Sequence, residues 1–235
     1  MSLIWSFAAS TSFAASTIQL KPTADAFVSS AAPSTNYGAQ GTLAVAGAGS
    51  GKGTFESVLK FDLAGALSQF DTEFGAGNWS VSTVTLGFAS NVGTQGGDSK
   101  NAMFPAINGG LFSILWMQDD SWTETGVTYN NLGSYTSVTS SLGSWTYVPP
   151  GNNVAVTRDL GTNASFLADV TAGGSVSLLV SPGDDTLAYL FNSRTYGTAA
   201  NHPVLTVTAI PEASSCVFLV PILAGFLAVR RRSMP

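Results

Sequence analysis

Short runs in which apolar and polar residues alternate with a period of two recur along most of this chain, and turn-rich clusters of Gly, Pro, Asn and Ser separate them. Alternation of that kind places successive side chains on opposite faces of a strand, so the chain is constrained to build half-buried strands rather than helices. The clearest instance is Ser80 to Ser90. Val81, Thr83, Thr85, Gly87 and Ala89 share one face, and Val84, Leu86 and Phe88 share the other, bulkier one, which is expected to face the core. Thr17 to Lys21, Ala24 to Val28, Thr42 to Ala46, Phe55 to Leu63 and Leu111 to Met117 read as further strands. So do Ser134 to Thr139, Ser144 to Val148, Asn153 to Arg158, Ser175 to Val180, Thr186 to Ser193 and Val204 to Thr208. Ala64 to Phe70 suits one or two helical turns, Phe166 to Thr171 either a strand or a turn of helix, and Asn91 to Asn101 a polar glycine loop.

Many short strands without helical periodicity, in a chain of 235 residues, imply one sizeable strand-built domain with its own core. Only Cys216 carries a thiol, so no disulfide can brace the body and packing alone must hold it. The net charge is -5, and ahead of the C-terminal region the only basic residues are Arg158, Arg194 and the lysines. A nucleic-acid partner is therefore not expected, because nothing here would neutralise a phosphate backbone.

The C-terminal region has a different character. Ile210 and Pro211-Glu212 are followed by an apolar run from Cys216 to Val229 and then by Arg230, Arg231 and Arg232. As a helix the run measures about 21 Å. That is short of the ~30 Å hydrocarbon core, but flanking serines and snorkelling arginines extend it to a marginal crossing. Positive charge directly after the span holds the C-terminus in the cytoplasm and the body outside. At the other end, Met1 to Ser16 has the small residues of a cleavage region but no basic start, as in the second half of a signal peptide whose true start lies upstream. Three parts are therefore expected: 1–16 as a partial signal peptide, 17–209 as the strand-built body, and 210–235 as a tail with a short transmembrane helix.

The tail resembles the PEP-CTERM sorting signal. Pro211, Glu212, the apolar span and Arg230 to Arg232 match it, while Ala213 stands where the second proline belongs. That resemblance implies an exosortase-type sorting enzyme as partner, a membrane contact through the tail, and a place in the cell envelope or outside the cell near exopolysaccharide. The body resembles DNRLRE domains, which are related to disaggregatase modules and a carbohydrate-binding module family. Trp122-Thr-Glu124 with Val127-Thr-Tyr-Asn-Asn131 carries the likeness. Ala24 to Val28, Asn36-Tyr-Gly38, Leu59 to Leu63, Val84-Thr-Leu86, Asp169-Val-Thr171, Phe191-Asn-Ser-Arg194 and Pro203 to Val207 follow in the family's order. The family places an acidic residue after Ser-Arg, where this chain has Thr195. It implies a jelly-roll-type sandwich and extracellular polysaccharide as a partner.

Candidate site residues are few. Gly47 to Gly53 looks like a phosphate loop, but Ala46 and Gly53 stand where Gly and Ser or Thr are needed, so a hairpin loop is expected. The single histidine, His202, is expected in a solvated loop, and no catalytic residue is assigned. Asp119 and Asp120, with Glu124, and Asp184 and Asp185 have the oxygen ligands calcium takes; no other cofactor is expected. Arg194 ends an apolar run and is expected to pair with Glu124 or Asp25, since an unpaired buried charge is costly. Trp116, Trp122, Trp145, Tyr129, Tyr135 and Tyr147 crowd the central third. Trp122 is expected in the core. Trp145, Tyr135 and Tyr147, flanked by Ser and Thr, suit either a sugar-stacking platform or ordinary core packing. The combined expectation is an exported, non-catalytic glycan-binding sandwich. A purely structural matrix protein and a polysaccharide-degrading enzyme are the alternatives.

Overall fold

The computed structural model describes residues 14–91, 104–149 and 151–212. The sequence readings for most of the leader, most of the Asn91 to Asn101 loop, and the apolar span with Arg230, Arg231 and Arg232 fall outside these residues. Among the described residues no helix is long and apolar enough to cross a membrane.

Among the described residues, eleven strands and three short α-helices follow one another as β1 (Ser16–Leu20), β2 (Ala24–Ser29), β3 (Thr42–Ala46), β4 (Phe55–Asp62), α1 (Ser68–Phe74), β5 (Trp79–Ala89), β6 (Gly110–Met117), α2 (Tyr129–Tyr135), β7 (Thr139–Tyr147), β8 (Ala155–Asp159), α3 (Ala164–Ala172), β9 (Ser175–Pro182), β10 (Ala188–Asn192) and β11 (Val204–Pro211). Two antiparallel sheets result. One has the order β1-β11-β5-β8; the other runs β10-β3-β4-β9-β6-β7, with β2 also paired to β4. Val84, Leu86 and Phe88 are buried, as the alternation in β5 predicts. Phe88 closes the gap between the sheets by packing against Phe112, Tyr189 and Phe191 at ring separations of 6.0, 6.1 and 5.0 Å. Each such ring contributes about 1.5–3 kcal/mol by leaving water.

Two of the expected elements change, and Phe166 to Thr171 takes the helical of its two readings. Ser134 to Thr139 is not a strand: α2 ends at Tyr135 and β7 begins only at Thr139. The cause is local, because the Asn131 side chain accepts from Thr128 N at 2.8 Å and closes the first turn of α2 from within. Phe166 to Thr171 lies inside α3, where Asn163 Oδ1 accepts from Phe166 N at 3.1 Å and Gly173, at φ 74, ends the helix. The last strand reaches further than its alternation suggests. Ile210 and Pro211 pair with Ser80 and Trp79, and Glu212 N donates to Asn78 O at 2.8 Å, so the start of the expected tail belongs to the sheet. Gly47 to Gly53 does connect the antiparallel strands β3 and β4, as a hairpin loop would.

The pairing registers give the sandwich two distinct ends. Ser16 opposite Ala209, and Pro211 opposite Trp79, place the start of β1, the end of β11 and the start of β5 together, beside α1. Phe112, Tyr147 and Tyr189 lie toward the opposite end, near Phe88.

Candidate functional site

β7 and β8 are outer strands of the two facing sheets, and their edges approach each other: a Cβ built on Gly161, just past β8, would lie 3.8 Å from Leu142 O in β7. Along this open side the alternation of β8 turns Val156 and Arg158 inward, opposite Phe88 and Leu86. The Arg158 guanidinium stands over the Phe112 ring at 5.8 Å, a cation–π contact. Its Nη1 donates to Thr157 O at 3.1 Å, while its buried Nε has no partner among the described residues.

Trp145 approaches the same Phe112 ring from β7, at 5.8 Å and 34°. Its indole lies across Gly143, where a Cβ would meet the ring at 2.7 Å; Gly143 also has φ 144, which only glycine adopts readily. A bulge in the pairing of β6 with β7 occurs at this point, between Ile114 and Leu115, and it sets how Trp145 is aimed. Trp145 is half-buried, with its ring supported from below by Phe112 and Gly143.

Deeper in, Tyr147 stacks on Tyr189 at 3.8 Å and 26°, and neither hydroxyl has a hydrogen-bond partner among the described residues. Burial pushes the Tyr147 phenol up to about 12. Burial first, then Tyr147, push Tyr189 well above its ordinary value, with Arg158 opposing. Both phenols therefore keep their protons near neutrality. Three donors without partners, Arg158 Nε and the two hydroxyls, thus gather behind one supported indole. The two hydroxyls are sealed in the core, and of this group it is Trp145 that offers an open face on which a flat apolar surface can lie.

Residues 16–95 match the family model of carbohydrate-binding module family 96.

The match supports a carbohydrate-binding-module-like domain. It runs from β1 past the end of β5 and includes Asp25, Phe88 and the Leu86 opposite Arg158, though not Arg158 or Trp145 themselves. No curated protein matches the chain.

The three aromatic candidates do not form one platform. Trp145 alone remains partly open within the cleft; Tyr147 is buried and cannot stack on a sugar; Tyr135 belongs to α2 and packs on a second apolar cluster around Trp122 and Met117. Alternation along β7 turns both Trp145 and Tyr147 inward, but Tyr147 lies one step further into the sandwich, against Tyr189. Arg158 and Tyr189 were not singled out as ligand-facing residues. The signal for Arg158 was its position two residues after Val156 on an alternating strand; nothing local marked Tyr189.

The acidic candidates have other partners. Asp184 accepts from Leu111 N, from Thr186 N and Oγ1, and from Leu187 N, bracing the turn before β10. Asp119 accepts from Ser121 N at 2.7 Å. The two acidic groups lie apart, Asp184 against the start of β6 and Asp119 and Asp120 past its end. Among the described residues no three His, Cys, Asp or Glu side chains are placed to hold a metal. His202 Nε2 lies 2.7 Å from Tyr196 O and is half-buried rather than fully solvated.

Trp122 is fully buried, donating through Nε1 to Ser177 Oγ at 2.9 Å, with Lys60 Nζ over its ring at 4.6 Å. The Arg194 ion pair is realised with Glu124, and Asp25 is met by the Arg194 backbone. Its guanidinium forks onto Glu124, with Nε to Oε1 at 2.6 Å and Nη2 to Oε2, and its backbone N donates to Asp25 Oδ2 at 2.6 Å. Burial pushes the Glu124 carboxyl up, but hydrogen bonds from Arg194 and from Asp25 N, and the Arg194 charge, outweigh it and hold the group below its ordinary value.

Proposed function

We propose that this protein is a non-catalytic carbohydrate-binding module that holds polysaccharide in the cleft between β7 and β8. Trp145 stacks on a sugar ring, beside the half-buried Arg158. The observation that carries this reading is a partly open indole supported from below by Phe112 and Gly143 where the edges of β7 and β8 face each other. The family-96 match in the strands behind the cleft supports it independently.

The rest of the reading concerns place. The body is a jelly-roll-type sandwich of the DNRLRE kind, exported and displayed on the cell surface or in the extracellular matrix. A PEP-CTERM-like tail delivers it there, spanning the membrane until an exosortase-type enzyme acts on it. Thin charge, the absence of thiols ahead of Cys216, and the apolar run ending in Arg230, Arg231 and Arg232 support this. Pro211 and Glu212, the first tail residues, stand at the end of the sandwich away from the cleft.

A second reading, a structural matrix protein with no glycan ligand, draws support from the burial of Tyr147 and the packing of Tyr135 away from the cleft. Pull-down of the purified protein on a panel of insoluble and bead-coupled polysaccharides separates the two. Retention on at least one matrix, released by the soluble form of the same glycan, supports the module; passage through every matrix supports the structural protein.

A further inference from the structure

Asp25 is 1% exposed at the start of β2. Its Oδ2 accepts from Arg194 N, its own backbone N donates to Glu124 Oε1 at 3.2 Å, and its Oδ1 is buried with no partner among the described residues. Three segments distant in sequence meet at this point: β2, the 118–138 segment through Glu124, and the turn after β10 through Arg194. A fourth joins through Asn36, whose Nδ2 donates to Glu124 O at 2.8 Å and to Val127 O at 2.7 Å.

The charges do not balance. One guanidinium serves two carboxylates, and its fork is spent on Glu124. Fully ionised, the group would place a second negative charge beside Glu124 with one oxygen unsolvated. The other charged groups on the elements packed here do not relieve it. Lys60 on β4 donates to Asp120 O and Trp122 O, Asp119 and Asp120 begin the 118–138 segment, and Glu56 is a further carboxylate on β4. A proton on Asp25 removes the second charge and leaves a neutral carboxyl, which is far less costly to bury. Burial pushes the Asp25 carboxyl up to about 7, with the Arg194 N–H opposing and Glu124 reinforcing.

We propose that Asp25 is a proton-operated latch on the 118–138 segment, closed when its carboxyl carries a proton and loosened when it ionises beside Glu124. That segment carries α2 and, at its two ends, a cavity of about 520 Å³ lined by Gln118, Asp119, Asp120, Ser121, Ser137 and Val138, so the latch sets how firmly this face is held. The sign follows from the raised folded-state value. Stability from the protonated form is complete below about pH 4 and is lost as pH rises through about 7.

Hydrogen exchange on the full chain in mild detergent, at about pH 5.5 and about pH 8.5 and corrected for intrinsic rates, tests the latch. Amides in 118–138 should lose protection about tenfold or more at the higher pH relative to β4 and β9, and Asp25→Asn should abolish the difference. Equal protection at both pH values, or an undiminished drop in Asp25→Asn, would overturn the proposal. Should that variant fail to fold, the carboxyl carbon resonance of Asp25 in the native protein decides: a midpoint near 7 supports the latch and one near 4 refutes it. None of these readouts depends on a glycan.

Discussion

Trp122 and Trp145 share a side-chain type and differ in everything around it. Trp122 is sealed, with its one donor bonded to Ser177 Oγ and its ring under Lys60. Trp122→Phe removes that bond and some volume together, and is expected to cost about 1–3 kcal/mol, read as a lower denaturant midpoint at unchanged slope. Trp145 is positioned by what lies beneath it. Gly143→Ala forces a methyl to within 2.7 Å of the indole and strains a φ of 144, so the ring must move. The expected result is a shifted tryptophan emission and weaker glycan binding, with β-sheet circular dichroism preserved. Unchanged emission would mean that Gly143 does not set the ring's position.

At the scale of elements, the strands were the legible part. β5 and β6 follow their alternating runs closely because each has one buried face, which a period-two pattern records directly, whereas β2, β3 and β9 are buried on both faces and read as strands by their β-branched and apolar content. Helix α2 was not legible, since Tyr129 to Tyr135 has no helical periodicity and folds through the closure made by Asn131. The extension of β11 through Pro211 was hidden as well, because a Pro-Glu pair reads as a break while proline is tolerated at the end of a ladder. Of the site, the sequence offered Trp145 without its setting. The cleft exists only once the edges of two sheets face each other, a relation between residues far apart in the chain. The Asn36-Tyr37-Gly38 turn shows the same dependence on distant parts. A Cβ on Gly38 would lie 2.1 Å from Glu124 O, so Gly38→Ala should push the 118–138 segment off β2 and cost about 1–3 kcal/mol or more, measurable by thermal unfolding.

On the scale of the whole molecule, Trp145 and Arg158 lie toward one end of the sandwich and Glu212, the last described residue, toward the other. A body held by its C-terminal extension would thus present Trp145 and Arg158 outward. The interior sets an alkaline limit to this arrangement. Tyr147 and Tyr189 are raised above the ordinary phenol value, so the stability they contribute is complete below about pH 10 and is lost at higher pH, for Tyr147 as pH climbs through about 12. On alkaline titration the tyrosinate absorbance of these two residues should therefore develop only as the fold is lost. Full tyrosinate absorbance reached before near-ultraviolet circular dichroism changes would contradict their burial. The account's central claim, that sugar is held on Trp145 between the two sheet edges, is tested most directly by affinity electrophoresis of the native protein and Trp145→Ala in gels containing polysaccharide. The native protein should be retarded by at least one polysaccharide, and the variant, folded by circular dichroism, should bind it roughly tenfold more weakly, a loss of about 1.4 kcal/mol. Equal retardation of the two proteins, or free migration of the native protein in every polysaccharide tried, would contradict it.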